Sequence, residues 1–259
     1  MNLIAISFSL LGFIVTFTGL ISYFLKVKNN KTPKIPLSLF FSFALGLTIG
    51  WYAIDLSSTT LGMILAGIPL LLCVFMVGFI LFLLVQSKTP IGDIKIKVGD
   101  QLFDFDSTDS NGEVFSSSQL KNQRTFLKFY RGAWCPYCSA ELKMFDGMRE
   151  VFDKYTIKLI GLSNDTANQA KAHLLRDKLE MQLLSDPELK VIKQFGVEHH
   201  KAVGWESDNM LTVLGISFSL NMFEYKAMSI PTSVLIDENG AVVWIDQSDD
   251  YRIRSSEER

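Results

Sequence analysis

The first third of the chain consists of long uncharged apolar runs, whereas the remainder alternates short apolar runs with polar segments. The uncharged runs cover residues 3–25, 35–54 and 61–85. At about 1.5 Å rise per residue, each run is long enough as a helix to cross about 30 Å of hydrocarbon. The pattern therefore predicts a membrane anchor over residues 1–90 with three transmembrane helices. The first run is interpreted as a span and not as a signal peptide, because two further spans follow it.

After a short linker at residues 88–92 the pattern changes, and residues 91–259 are predicted to form one α/β domain. Strands are predicted at 101–107, 113–116, 126–130, 157–163, 181–185, 233–237 and 241–246, and helices at 140–155, 168–180 and 187–195. Strands that alternate with helices and end in a hairpin predict a central mixed sheet flanked by helices. Residues 201–228 show no clear period, and we expect them to contribute extra core.

Charge also separates the two parts. Residues 1–90 contain five lysines and one acidic residue, Asp55, whereas residues 91–259 carry 20 basic and 26 acidic side chains. A mildly acidic soluble part argues against nucleic acid as a partner. Four lysines lie in the loop 26–34 and none in the loop 55–60. By the positive-inside rule, this predicts a multi-pass protein of the inner or cell membrane whose soluble domain lies in the cytoplasm.

The candidate chemistry lies in one box, Cys135-Pro136-Tyr137-Cys138, which directly follows the predicted strand 126–130. A dithiol at a strand-to-helix turn is a redox motif, because the helix N-terminus favours the thiolate that attacks disulfides and peroxides. We therefore expect a redox-active disulfide between Cys135 and Cys138. The third cysteine, Cys73, lies in an apolar run and is expected to be a small buried hydrophobic residue.

The box has two other interpretations, a buried structural pair and half of a zinc site. His199 and His200 would complete four ligands, but nothing in the sequence brings them to the box, and we expect solvated loop histidines. We therefore expect no metal site. The chain contains no nucleotide, flavin or haem fingerprint, and no cofactor is expected.

Several short motifs occur in the order found in a known family: Gly99-Asp100, Phe103-Asp104-Phe105, Asn111-Gly112, the run from Phe129 to Cys138, Leu184-Ser185-Asp186-Pro187, Ile230-Pro231-Thr232 and Leu235-Ile236-Asp237-Glu238-Asn239-Gly240. Together they resemble the peroxiredoxin-like branch of the AhpC/TSA (alkyl hydroperoxide reductase/thiol-specific antioxidant) family, and the tail at 250–254 resembles the end of that branch. The resemblance covers nearly all of residues 96–259 and none of the predicted membrane anchor. It implies a thioredoxin-like fold, thiol-dependent reduction of peroxide, and reducing equivalents from a thioredoxin-like protein or glutathione.

The sequence departs from the family pattern at two places. Peroxiredoxins carry Pro-x-x-x-Thr-x-x-Cys around the peroxide-reacting cysteine, and counting back from Cys138 this chain has Cys135 for the Thr and Arg131 for the Pro. Late in the domain, Pro231 stands where peroxiredoxins tend to carry an arginine and where thioredoxins carry a cis proline that faces the dithiol.

Two chemistries therefore stay open, with a peroxide or a disulfide as substrate. In the thioredoxin-like mechanism Cys135, at the exposed end of the turn, attacks a substrate disulfide and Cys138 resolves the mixed disulfide. Trp134 would flank the nucleophile, or only pack in the core, and Pro231-Thr232 would hold an extended substrate. In the peroxiredoxin-like mechanism Cys138 is oxidised first and Cys135 resolves it.

Arg131 has two interpretations as well, a cation that stabilises the thiolate or an ordinary surface charge. A third class of function is a non-catalytic domain that responds to redox state or binds metal. The resemblance favours a membrane-anchored, thiol-dependent oxidoreductase with an antioxidant, peroxide-reducing role.

Overall fold

The computed structural model describes residues 3–90 and 93–253. Residues 91 and 92 of the predicted linker and residue 254 of the tail motif lie outside the described part. The chain divides into two compact units, Met1–Ser87 and Lys88–Arg259.

The first unit consists of three helices, α1 (Leu3–Lys28), α2 (Leu37–Asp55) and α3 (Thr60–Val85). All three are long and apolar enough to cross a membrane. Small residues line the contact between α1 and α2, where a methyl group added at Gly12 would lie only 2.6 Å from the carbonyl oxygen of Gly46. Such residues let two helix backbones approach closely. On α1, Ser9 donates a hydrogen bond of 2.5 Å to the carbonyl oxygen of Ala66 on α3.

The second unit contains eleven strands and four helices among its described residues. The strands are β1 (Asp106–Asp109), β2 (Val114–Ser116), β3 (Arg124–Phe129), β4 (Ile157–Ser163), β5 (Gln182–Ser185), β6 (Glu198–Gly204), β7 (Met210–Val213), β8 (Ile216–Ser219), β9 (Glu224–Ser229), β10 (Thr232–Ile236) and β11 (Val242–Gln247). The helices are α4 (Pro136–Gly147), α5 (Arg149–Lys154), α6 (Ala167–Asp177) and α7 (Lys190–Gln194).

Seven of these strands form the central sheet in the order β11-β10-β3-β4-β5-β1-β2. The strands β3, β4 and β5 run parallel, and the other pairs are antiparallel. Because β3 lies inside the sheet, its side chains from Thr125 to Phe129 are buried, on both faces of the sheet. Leu127 and Phe129 join the core on the α7 side, and Phe126 joins the core that includes Leu142 and Phe145 of α4. A mixed sheet flanked by helices confirms the predicted thioredoxin-like fold.

Several predicted elements have different bounds in the structure. The helix predicted at 140–155 is two helices, and α4 already begins at Pro136, since proline suits the first helical position. The first predicted strand, 101–107, is represented by β1 alone, which begins at Asp106. The unassigned stretch 201–228 contains most of two small sheets, β6 with β9 and β7 with β8. This pair of sheets, residues 198–229, is called the insert below.

Candidate functional site

The Cys box lies where β3 ends and α4 begins, with Cys135 at the N-cap position of the helix. The connecting turn requires a glycine, because Gly132 has a φ of 144° and a methyl group there would lie 2.7 Å from Trp134 Nε1. The next residue, Ala133, is held through both of its backbone polar groups. The N–H of Ala133 donates to Asp165 Oδ2 at 2.8 Å, and its carbonyl oxygen accepts from Arg176 Nη2 at 2.9 Å.

Both cysteines of the box are buried, with Cys135 only 1% exposed and Cys138 0% exposed. The expectation that the first cysteine lies at an exposed end of the turn is therefore wrong. The reason is the insert, because Ala202 and Met228 pack in the same apolar cluster as the two cysteines. A reactant has to enter this cluster to reach either sulfur.

Cys138 lies among groups that favour negative charge on its sulfur. The backbone N–H of Arg131 donates a hydrogen bond to Cys138 Sγ at 3.4 Å. Cys138 also lies in the first turn of α4, where backbone N–H groups and the helix dipole favour negative charge. These contacts favour a thiolate at Cys138.

Arg131 is a buried cation and not a surface charge, since its residue is only 2% exposed. Its guanidinium donates to the carbonyl oxygen of Val203 at 2.6 Å and to Met228 Sδ at 3.1 Å, so β6 and β9 of the insert hold it. The same group lies 3.8 Å from the ring centre of Tyr251 and 5.0 Å from that of Trp134. In the described part of the chain these hydrogen bonds go to uncharged groups, which leaves the positive charge available to an anion.

The charge of Arg131 acts on the pKa values of two neighbouring titratable groups, Tyr251 and His199. Burial raises the pKa of the Tyr251 phenol, the Arg131 guanidinium opposes this rise, and Cys135 adds to it. Burial, together with the charges of Arg131 and His200, lowers the pKa of His199 to about 4. Tyr251 and Tyr137 make an edge contact with ring centres 5.8 Å apart. The guanidinium therefore shares its surroundings with the box, the C-terminal segment and the insert.

The two histidines lie on β6 and not in a loop, which corrects the expectation of a solvated pair. His199 is half-buried, whereas His200 is exposed and lies 3.1 Å from Glu198 Oε2. Among residues 3–90 and 93–253, no group of three or more His, Cys, Asp or Glu side chains has the arrangement of a metal site.

The remaining predicted site residues are also buried. Trp134 is buried and packs against Trp205 with ring centres 5.4 Å apart, which is a packing contact. Thr232 pairs with Phe129 at the end of β3, and Thr232 Oγ1 accepts a hydrogen bond from Gln247. The peptide before Pro231 is trans, as are all described peptides, which differs from the cis proline that thioredoxins carry at this place.

A buried ion pair lies one turn along α4 from the box. Lys128 Nζ on β3 lies 2.8 Å from Glu141 Oε1 and donates to Ser233 Oγ at 3.0 Å. The strand pattern explains why a lysine is buried here, since Lys128 alternates with its two apolar neighbours and faces α4. The pair joins the helix that carries the cysteines to the centre of the sheet.

A second polar cluster connects α4 to α6. Ser139 Oγ lies 3.1 Å from His173 Nε2 and accepts from Arg176 Nη2 at 3.0 Å. Burial would raise the pKa of Asp177, but hydrogen bonds from His173 and Arg176 hold it well below its usual value. Since Arg176 also bonds to Ala133, this cluster fixes the start of α4 from behind.

Sequence reasoning missed five of the residues that shape the site: Asp165, Arg176, Val203, Met228 and Tyr251. A signal existed for two of them. Asp165 lies two residues after the carboxyl end of β4, where side chains of a parallel sheet meet neighbouring loops, and Tyr251 lies in the tail motif. Val203 acts through a backbone carbonyl, and such a contact has no sequence signature.

Part of this chain is similar in sequence to known peroxiredoxins. Peroxiredoxin Q, chloroplastic, from Triticum aestivum is 32% identical over 103 residues, which are 40% of this chain and 48% of that protein. Peroxiredoxin Bcp from Escherichia coli (strain K12) is 29% identical over 110 residues, 41% of this chain and 69% of that protein. The chain thus spans about half the length of the wheat relative.

The crystal structure of Peroxidoxin BcpB from Mycobacterium tuberculosis matches 61% of this chain and 90% of that one, with 23% identity and a TM-score of 0.47. The family model for the AhpC/TSA family matches residues 98–245, from just before β1 into β11 and across the whole Cys box. This match covers more than half of the chain, and the chain therefore belongs to the AhpC/TSA family.

Proposed function

We propose that this chain is a membrane-anchored, thiol-dependent peroxidase in which Cys138 reacts with the peroxide and Cys135 resolves the product. The observation that carries the proposal is the position of Arg131, whose backbone N–H bonds to Cys138 Sγ and whose guanidinium is buried among uncharged partners. Membership of the AhpC/TSA family and the peroxiredoxin names of its relatives support the same chemistry.

The proposed reaction has three steps. The Cys138 thiolate attacks the terminal peroxide oxygen, the O–O bond breaks, and Cys138 becomes a sulfenic acid. The departing alkoxide or hydroxide takes up the proton that was released when the thiolate formed, and leaves as an alcohol or water. The Cys135 thiol then attacks this sulfur, water leaves, and a Cys135–Cys138 disulfide forms. Two thiols of a donor, a thioredoxin-like protein or glutathione, reduce the disulfide back to the dithiol.

Arg131 contributes where negative charge is concentrated. Within residues 3–90 and 93–253 its hydrogen bonds go to uncharged groups, and such a guanidinium favours the thiolate before the reaction and the departing oxygen during it. Because the group is buried, its interaction with an anion is screened less than in water. The Arg131 guanidinium thus has the role of the arginine that peroxiredoxins tend to carry near the position of Pro231.

The burial of both sulfurs favours peroxide over protein disulfide as the first reactant. A peroxide is small enough to enter a cluster in which Cys135 is 1% exposed, whereas a protein disulfide has to displace the covering residues first. Pro231 and Thr232, the residues expected to hold an extended substrate, are buried too. Disulfide exchange by Cys135 remains the second candidate, since that residue is the N-cap of α4.

The anchor part of the proposal is supported by the three apolar helices. Their outward side chains include large apolar residues such as Phe41, Trp51 and Phe75, all more than two-thirds exposed within the unit. Soluble proteins rarely expose so much apolar surface, whereas lipid-facing helices do. The cytoplasmic location of the redox domain rests on the lysine distribution alone and stays a prediction.

Single-turnover oxidation of the pre-reduced full-length chain by hydrogen peroxide tests the proposal. In the Cys135→Ser variant we expect Cys138 to be oxidised at the wild-type rate and to accumulate as a trapped sulfenic acid. In the Cys138→Ser variant we expect no rapid oxidation, and Cys73→Ser is the matched control because its thiol lies in α3.

The opposite result would support the second candidate. If peroxide oxidises the wild type slowly, while a small disulfide reacts quickly and only through Cys135, the domain is a disulfide oxidoreductase. Mass spectrometry of the trapped adduct identifies which sulfur reacted first.

A further inference from the structure

The hairpin of β7 and β8 is a feature that the peroxidase proposal does not use. It lies within residues 209–223, fifteen consecutive positions without an acidic, basic or histidine side chain. Outside the apolar helices, an uncharged stretch of this length is unusual for a surface loop, because loops are generally polar. The hairpin is nevertheless at the surface.

The apolar side chains of this hairpin point outward to a large extent. Leu211 and Val213 on β7 are exposed, Leu214 at the tip is 56% exposed, and Met222 beyond β8 is 88% exposed. The hairpin is held to the domain by Ile216, which is buried. It therefore presents a contiguous apolar edge on a fixed support.

The turn at the tip places a leucine where a polar residue is usual. Val213 pairs with Ile216, so Leu214 and Gly215 form a two-residue turn, with φ of 53° and 77°. Positive φ at both positions favours Asn-Gly, and a leucine there is strained. Strain together with exposure indicates that the apolar side chain at position 214 has a function, namely contact with a surface other than water.

The base of the hairpin has the opposite character. Lys226 forms ion pairs with Glu206 at 2.8 Å and with Glu224 at 3.1 Å, so charged groups are concentrated next to the apolar stretch and not within it. Helices that lie in the interface of a lipid bilayer likewise combine an apolar side that is buried in the lipid with a charged side that faces water.

The partner of this apolar surface that the sequence of the chain favours is a phospholipid bilayer. The redox unit begins at Lys88, three residues after the end of α3, so a chain anchored by its helices keeps this unit beside a membrane. We propose that the β7–β8 hairpin inserts its tip, Val213 and Leu214, into the interface of that bilayer. The inference rests on the anchoring proposed above and does not depend on the peroxidase chemistry.

The hairpin is connected to the Cys box through a row of aromatic rings. Phe223 lies against Trp205 with ring centres 6.0 Å apart, and Trp205 lies against Trp134, which directly precedes Cys135. Membrane contact at the hairpin would therefore fix the orientation of the box relative to the lipid surface.

The test uses the full-length chain in phosphatidylcholine vesicles, with an environment-sensitive fluorophore on a single introduced thiol, Leu214→Cys. The native thiols are buried, and wild-type chain taken through the same labelling gives the background. When nitroxide-labelled phosphatidylcholine is included, we expect the probe to lose roughly half or more of its emission, because interfacial segments lie about 5–10 Å deep. The same probe on exposed Lys121→Cys should keep its emission.

A third position separates this inference from the anchoring proposal. A probe on Phe41→Cys, on the outward face of α2, should be quenched by the nitroxide lipid whenever the helices are inserted. If that probe is quenched while the probe at position 214 is not, the hairpin inference is wrong and the anchor stands. If the probe at position 214 is shielded from aqueous iodide but insensitive to the lipid, a protein surface covers the hairpin, which also overturns the inference. If neither probe responds, both proposals fail.

Discussion

Arg131 offers the sharpest test of the proposed chemistry. We consider Arg131→Met, which keeps an unbranched apolar stem in the cluster and removes the guanidinium, and Arg131→Lys, which keeps the charge but not the planar fork. In both variants the backbone N–H that bonds Cys138 Sγ at 3.4 Å is unchanged. The comparison therefore isolates the side chain from the turn.

The expected magnitude follows from the burial of the group. A preorganised donor in a water-excluded site contributes about 2.7–4 kcal/mol to the transition state, which is about 10²–10³-fold in rate. We expect Arg131→Met to slow oxidation of Cys138 by that factor. Arg131→Lys should lose less, since a charge remains but its distance to the sulfur changes.

The same substitution has a modest effect on stability. Removing the guanidinium leaves the carbonyl oxygen of Val203 without its hydrogen bond of 2.6 Å, at a cost of about 1–3 kcal/mol. Part of that loss is offset, because a buried charge is no longer desolvated. The variant should therefore stay folded, and its thermal unfolding should be measured alongside its rate.

The assay is stopped-flow tryptophan fluorescence of the reduced chain mixed with hydrogen peroxide. Trp134 lies 5.0 Å from the guanidinium carbon and next to Cys135, so its emission should report oxidation of the box. Arg124→Met is the matched control, because Arg124 is exposed and pairs with Glu238 at the far end of β3. A folded Arg131→Met variant with a rate within about threefold of the wild type would refute the role of the cation, because about 10²-fold is expected.

Three further outcomes can be measured on the same chain. Glu141→Gln should destabilise the redox unit by about 3–5 kcal/mol in chemical denaturation, because it leaves Lys128 buried without its carboxylate partner, and the double change Lys128→Met with Glu141→Leu should recover most of this. Because the pKa of His199 is about 4 when folded and 6.5 is its ordinary value, the unfolded chain binds more protons between these values. Stability should therefore fall as pH falls from 6.5 to 4, His199→Asn should flatten this dependence, and His200→Asn should not. Cys73→Ser should leave peroxide consumption unchanged, and a lost activity would mean that α3 takes part in the chemistry.

The elements that could be predicted are those with a strong local pattern. The strand at 157–163 has the predicted bounds, and the hairpin around Asn239-Gly240 is present, because alternation and turn chemistry specify both. The Cys box could be placed on a strand-to-helix turn for the same reason. These features depend on near neighbours in the sequence, so one sequence is enough to find them.

The insert could not be predicted, since its meaning is tertiary. Its strands mix exposed and buried positions, with Ala202, Val203 and Met228 facing the Cys box and Leu211 and Val213 facing outward. No single period results. The burial of Arg131 and Cys135 depends on this packing. For that reason the sequence predicted an exposed Cys135 and left two interpretations of Arg131 open.

The contact of Tyr251 with Arg131 also has a consequence for biosynthesis. Tyr251 follows Cys135 by nearly half the chain, and β10, which pairs with β3 beside the box, is also a late element. Since a ribosome delivers residues in order, the box is made before the insert that covers it and before Tyr251. The dithiol lacks its cover until the insert has been made, and it lacks its last aromatic neighbour until translation has passed residue 251. Oxidative damage to the box should therefore be greatest while the polypeptide is still being made.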